Sequence, residues 1–162
     1  NAIELSEVDI NKLLDDTLQL LEPQLRKSNV SILKNYAAIP PRVYGNAGKL
    51  QQVFTNLVLN ARDAMFDGGT ITLSTAVDER DEIRVEVADT GEGIPAENLG
   101  KIFDPFFTTK GVGNGTGLGL AVSYGIVQEH AGTIQAFSED RAGATFRLAF
   151  PSALKLRQRA VS

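Results

Sequence analysis

The chain contains no cysteine and no tryptophan, and only one histidine and one methionine. Without thiols, disulfide scaffolds, cysteine-ligated zinc, iron–sulfur clusters and cysteine nucleophiles are excluded. A single histidine leaves no His-rich metal site. No apolar run approaches the ~18–20 residues needed to cross a bilayer, and no signal peptide opens the chain. An excess of positive charge is also missing: 16 Lys and Arg face 20 Asp and Glu, for a net charge of -4. Nonspecific nucleic-acid binding wants a basic field, so no nucleic-acid partner is expected. What is present is 162 residues, 43% hydrophobic and 22% charged. That is the balance of one globular domain, and a chain this size hides ~70% of its unfolded surface. The first residue is Asn rather than Met, so a fragment of a longer, cytoplasmic parent is expected.

Hydrophobic periodicity divides the chain. Asp9 to about Lys27 reads as a helix capped by Asp9, with Ile10, Leu14, Thr17, Leu18, Leu21 and Leu25 on one face. Pro23 inside it should bend it or mark a weak point. Val30 to Leu33 reads as a short strand, and Val43-Tyr44 as a brief extended piece after Pro40-Pro41. A second helix starts at Gly45-Asn46 and stops at Asp67-Gly68-Gly69. A hairpin pairs Ile71–Val77 with Ile83–Val87 across a charged turn. Residues 89–116 are rich in Gly, Pro and Thr, and loops of this length are usually functional. Gly117 to His130 reads as a third long helix, followed by strands Thr133–Phe137 and Ala144–Phe150. The tail after Pro151 is basic and reads as flexible. The pattern predicts an α/β sandwich, with three main helices on one face of a mixed sheet of about five strands.

Three segments carry chemistry. Asn56, Asn60 and Asp63 are spaced i, i+4, i+7, so they project from one face of the second helix. They should either pair with each other or meet a polar ligand; a solvated face is the plainer alternative. An Asn oxygen suits Mg²⁺, which keeps waters and substrate phosphates as its other ligands. Asp89-Thr90-Gly91-Glu92-Gly93-Ile94-Pro95 follows a strand end. A carboxylate there accepts from an amino group, which favours adenine over guanine, and the glycines let backbone approach a flat ring. A plain tight turn is the alternative. Gly91-x-Gly93-x-x-Ala96 also matches the dinucleotide fingerprint, but Pro95 stands where a helix should open. Gly113-Asn114-Gly115-Thr116-Gly117-Leu118-Gly119-Leu120 opens the third helix, and free N–H groups at a helix start bind anions such as phosphate. No Walker loop occurs; a flexible linker is the alternative. Between the glycine segments, Phe103, Phe106 and Phe107 could form a mobile cover, with Lys110 reaching a terminal phosphate. A small satellite cluster and a solvated lysine are the alternative.

In this order the segments resemble the catalytic, ATP-binding domain of sensor histidine kinases, in the wider group with Hsp90, DNA gyrase B and MutL. Asn56-Leu57-Val58-Leu59-Asn60-Ala61 is similar to the N box and Asp89-Thr90-Gly91-Glu92-Gly93 to the G1 box. Phe103-Asp104-Pro105-Phe106-Phe107 is similar to the F box, and Gly115-Thr116-Gly117-Leu118-Gly119-Leu120 to the G2 box. Gly143-Ala144-Thr145-Phe146 matches the last strand motif, and Pro-Phe-Phe-Thr-Thr-Lys resembles the lid of nitrogen-regulation-type kinases.

The resemblance implies the Bergerat (GHKL) ATPase fold over residues 9–151, with a long ATP lid at 97–116. It makes residues 1–8 the leader from a preceding dimerisation and phosphoacceptor domain, and 152–162 a flexible tail. It implies that Asn60 ligates Mg²⁺, with Asn56 and Asp63 supporting phosphates or metal. Asp89 reads the adenine amino group, directly and through water, with Thr145 nearby and Gly91, Gly93 and Ile94 in the same ATP site. Phe103, Thr108, Thr109 and Lys110 line the lid side. The backbone of Gly115, Thr116, Gly117, Leu118 and Gly119 holds the phosphates of ATP or ADP. Asn56, Asn60 and Lys110 stand nearest the transfer. The activity implied is phosphorylation of a histidine on the parent's own acceptor domain, which then serves a response regulator. The parent would be a homodimer, cytoplasmic or membrane-anchored. A nucleotide switch without transfer, or an ATPase of the same fold, is the alternative. In the hydrolysing relatives a Glu four residues before the metal-binding Asn is the general base; here Asn56 cannot take a proton. His130 lacks the acidic residue that usually follows an acceptor histidine, and reads as a helix C-terminal residue.

Overall fold

The computed structural model describes residues 4–105, 107, 119–138 and 142–161. Strand β1 (Ser6–Asp9) runs directly into helix α1 (Ile10–Lys27). Asp9 caps α1 by accepting the Lys12 N–H at 3.0 Å, which satisfies one of the four orphan donors of a helix start and is worth ~1 kcal/mol. Pro23, expected to bend or weaken α1, is carried inside it without a break. Pro23 and Gln19, whose carbonyl would otherwise accept from position 23, are both exposed residues. Leu21 and Leu25, on either side, hold the turn in the core.

Helix α2 (Ala47–Asp63) is capped by Asn46, which accepts the Lys49 N–H at 2.9 Å. Its buried stripe of Leu50, Val53, Phe54, Leu57, Val58 and Ala61 packs between α1 and helix α4 (Gly119–Glu129). The main sheet contains β2 (Val30–Asn35), β4 (Gly69–Val77), β5 (Glu82–Asp89), β7 (Ala144–Pro151) and β6 (Thr133–Ser138), in that spatial order. Only β2 and β4 run parallel; the other neighbours are antiparallel. Inward side chains alternate along the strands, with Ile71, Leu73, Val85, Val87, Phe146 and Leu148 joining the helices in one cluster. The expected five-stranded sandwich is therefore what forms.

Both ends of the chain contribute elements. β1 pairs antiparallel with β3 (Arg42–Gly45) in a separate ribbon, and Val8 is buried. After Pro151 the chain forms helix α5 (Ala153–Val161). Ser152 caps it by accepting the Lys155 N–H at 3.0 Å. Lys155 reaches Glu82 on β5, and Arg157 reaches Glu7 on β1. These acidic partners are remote in sequence, so the basic run by itself looks merely solvated.

Candidate functional site

Asp89 is the last residue of β5, on the core-facing side of the sheet and nine-tenths buried. Its Oδ1 accepts the Gly91 N–H at 2.8 Å and the Ala144 N–H at 3.3 Å. Among the described residues Oδ2 takes no hydrogen bond, and it is not sealed from solvent. Burial lifts the carboxyl above its ordinary range, while the Gly91 and Ala144 N–H groups pull against that rise. One oxygen thus anchors the side chain and the other is presented as an acceptor.

The loop after Asp89 is joined to the end of α2. Gly91 lies against the Ala64 carbonyl so closely that a Cβ would overlap it. The same carbonyl accepts the Glu92 N–H at 3.1 Å. This contact caps α2, which ends at Asp63 and not at the expected Asp67-Gly68-Gly69 stop. Gly93 adopts a positive φ of 77°, which glycine tolerates without Cβ strain. The Ile94 N–H donates to the Ser138 hydroxyl at 2.6 Å, and that hydroxyl donates to the Gly143 carbonyl at 2.8 Å. The turn holding Gly91, Gly93 and Ile94 is therefore tied to both α2 and the β6–β7 end.

Asn56 and Asn60 stand one turn apart on α2, both half-buried. Asn56 Nδ2 donates to the Gly119 carbonyl and the Ser123 hydroxyl, each at 3.2 Å. This places the N-box residue against the start of α4. The Asn60 side chain makes no hydrogen bond among the described residues, so its oxygen is available to a hard cation. No group of three or more His, Cys, Asp and Glu among the described residues could hold a metal. A lone Asn oxygen fits Mg²⁺, which binds through one or two protein ligands plus waters and phosphates. Asp63 is engaged by its neighbour, with the Arg62 guanidinium at 2.8 and 3.1 Å.

Of the other expected residues, Thr145 follows Ala144 and pairs with Ala88, next to Asp89. It alternates with the buried Ala144 and Phe146, and so lies on the opposite, open face of the sheet. The period-two pattern already carried that signal, because Phe146 had to be in the core. The backbone N–H of Ala144 makes the contact to Asp89. Phe103 packs on the core: its ring lies 5.5 Å from Tyr124 and 6.3 Å, edge-on, from Phe146. Ile102 beside it is buried, and Phe107 also packs on the core. Helix α3 (Ala96–Leu99) opens the segment expected as the lid. Thr108, Thr109, Lys110, Gly115, Thr116, Gly117 and Leu118 lie outside the described residues. Sequence reading missed Ser123, Ser138 and the Ala64 carbonyl, none of which has a motif.

His130 is engaged at both ring nitrogens. Nε2 accepts the Asn46 N–H at 3.1 Å, and Nδ1 faces the Ile126 carbonyl at 2.8 Å. This pattern requires the neutral ring protonated at Nδ1. Gly45 packs so closely on the ring that a Cβ there would overlap it. His130 directly follows α4, at the helix end where its sequence context put it, and links α4 to the start of α2.

Residues 45–154 match the family model for histidine kinase-, DNA gyrase B- and HSP90-like ATPases. The chain is 42% identical over 158 residues to the sensor kinase CckA of Brucella abortus, covering 89% of this chain and 17% of that protein. It spans between 17% and 31% of the length of three of its curated relatives. The solved catalytic domain of histidine kinase ThkA is 34% identical, with a TM-score of 0.81 over 91% of this chain and 95% of that one. ThkA in complex with the response regulator protein TrrA is similar at 31% identity and a TM-score of 0.78, over 92% of this chain and 42% of that one. Full-length ShkA in complex with AMPPNP is 27% identical, with a TM-score of 0.83 over 94% of this chain and 32% of that one. Sheet order, the Asp89 turn, the paired asparagines of α2 and these likenesses agree: the chain belongs to the histidine kinase-, DNA gyrase B- and HSP90-like ATPase family, as a histidine kinase catalytic domain.

Proposed function

We propose that the chain binds Mg·ATP, with Asp89 reading the adenine amino group, and donates the γ-phosphate to a histidine on a separate dimerisation and phosphoacceptor domain. The observation that carries this reading is the divided Asp89 carboxylate: Oδ1 is held by two backbone N–H groups and Oδ2 is left as an acceptor. Guanine presents an oxygen where adenine presents its amino group, and two acceptors repel. Asn60 would hold Mg²⁺, which supplies charge neutralisation along the phosphates.

Phosphoryl transfer asks mainly for positioning. A neutral imidazole nitrogen forms the new P–N bond as the bond from the γ-phosphorus to the β–γ bridging oxygen breaks. ADP leaves, and the other ring nitrogen releases its proton to solvent. No general base is required. Asn56, which cannot take a proton and whose nitrogen is committed to α4, is suited to transfer rather than to activating water. No helix among the described residues is long and apolar enough to cross a membrane. The parent is proposed as a homodimer working on a response regulator from the cytoplasm, with or without a membrane anchor outside this chain.

Calorimetric titration with Mg²⁺ present should show ATP binding and no GTP binding; equal binding of both would sink the adenine assignment. Mixing the ATP-loaded chain with its parent's acceptor domain should move radiolabel onto that domain. The chain alone should gain no acid-labile phosphate, because both His130 nitrogens are occupied. Label on His130 by mass spectrometry would contradict the structural role.

A further inference from the structure

Ser123 belongs to no motif, yet its side chain is fully buried on α4. Its hydroxyl accepts from Asn56 Nδ2 at 3.2 Å, and the same nitrogen donates to the Gly119 carbonyl at 3.2 Å. A carbonyl oxygen only accepts, so the Gly119 contact decides which end of the amide is nitrogen. The nitrogen carries two hydrogens, and both are directed at α4. Oδ1 is the end left over, and it takes no hydrogen bond among the described residues.

The position of Asn56 along α2 gives that oxygen a direction of use. Ala64, at the end of α2, touches the turn that follows Asp89. Asn56 stands eight residues earlier (64 minus 56), which is about 12 Å along a helix axis. Asn56 also touches Gly119, the first described residue of α4. If adenine lies at Asp89, the Asn56 end of α2 faces the phosphates.

We infer that Ser123 is a positioning residue, which together with the Gly119 carbonyl locks the Asn56 amide so that Oδ1 faces the phosphate end of Mg·ATP and the waters around it. This rests on the nucleotide reading above. Without the Ser123 hydroxyl, one amide hydrogen loses its buried acceptor, and rotation of the amide relieves that loss at the expense of the Oδ1 orientation.

The test is calorimetry of Mg·ATP and of adenosine on the wild-type chain, Ser123→Ala, Asn56→Ala and the double variant. Ser123→Ala should raise the Kd for Mg·ATP roughly 3- to 10-fold, the equivalent of one net hydrogen bond. Adenosine affinity should not change, and in the Asn56→Ala background the serine substitution should have no further effect. Equal loss for adenosine, a loss undiminished by Asn56→Ala, or no loss at all would overturn the inference. Ser123→Cys keeps the side chain's shape with a weaker acceptor, and carries the test if the alanine variant does not fold. It should show a smaller loss, again confined to the phosphate-bearing ligand, and wild-type affinity would count against the lock. A wild-type chain that binds neither ligand would overturn the nucleotide reading itself, whereas wild-type binding with unchanged variants overturns the Ser123 role alone.

Discussion

Replacing Asp89 with Asn is expected to remove ATP binding while leaving the fold intact or more stable at neutral pH. The Asn oxygen can still accept from Gly91 and Ala144, as Asp89 Oδ1 does now. The amide nitrogen then occupies the Oδ2 position and presents a donor to the adenine amino donor. A hydrogen bond to a charged group is worth ~1.5–3 kcal/mol, so the Kd should rise at least ~10–100-fold. Stability should move the other way. Burial raises the Asp89 carboxyl above its ordinary value of 3.8 in the folded chain. A raised folded value means that this group's contribution to stability is present below the unfolded value and is lost as pH rises through the folded one. The Asn variant escapes that loss, so its stability relative to wild type should improve as pH climbs from below 3.8 toward neutrality. ATP affinity of the wild type should fall over the same window on acidification, because a protonated Oδ2 no longer accepts. Urea unfolding and calorimetry at matched pH values test both signs; a variant that loses binding because it unfolds would defeat the account.

Gly143→Ala should damage the fold and the site together. Gly143 has a φ of +83°, and a Cβ there would overlap the Asp89 carbonyl oxygen. Backbone in that region strains any residue with a side chain, and the contact lies against backbone, which cannot swing aside. Strain and overpacking together should cost ~2–4 kcal/mol. For a chain of this length that lowers Tm by roughly 5–15 °C. The Gly143 carbonyl also accepts from Ser138, which in turn accepts from Ile94, so the displacement should propagate to the turn after Asp89. Weaker ATP binding is expected even at temperatures where the variant is fully folded. A melting curve within 1–2 °C of wild type, roughly what ~0.5 kcal/mol produces, would show that the turn relaxes without strain.

Elements set by local pattern were legible. The caps at Asp9 and Asn46, the alternation of β4 and β5, and the long amphipathic helices follow from residues within a few positions of each other. Asn56, Asn60 and Asp89 could be singled out as candidates for the same reason, since their spacing is local and their chemistry narrow. What was not legible depends on partners distant in sequence. Lys155 and Arg157 of α5 meet Glu82 and Glu7. Strand β1 pairs with Arg42–Gly45. Phe103 packs against Tyr124 and Phe146.

The sequence by itself determined the fold class, the order of the chemical segments and the exclusion of thiol and His-cluster chemistry, because these depend on composition, period and short-range spacing. Only the tertiary structure decided that the Ala144 N–H bonds Asp89, that His130 is engaged at both nitrogens, and that Ser123 and Gly119 hold Asn56. Apart from the local contact of His130 Nδ1 with Ile126, each of these depends on the direction of a hydrogen bond between residues more than 50 positions apart. Spacing in one chain segment carries no information about which atom of a remote segment will face it.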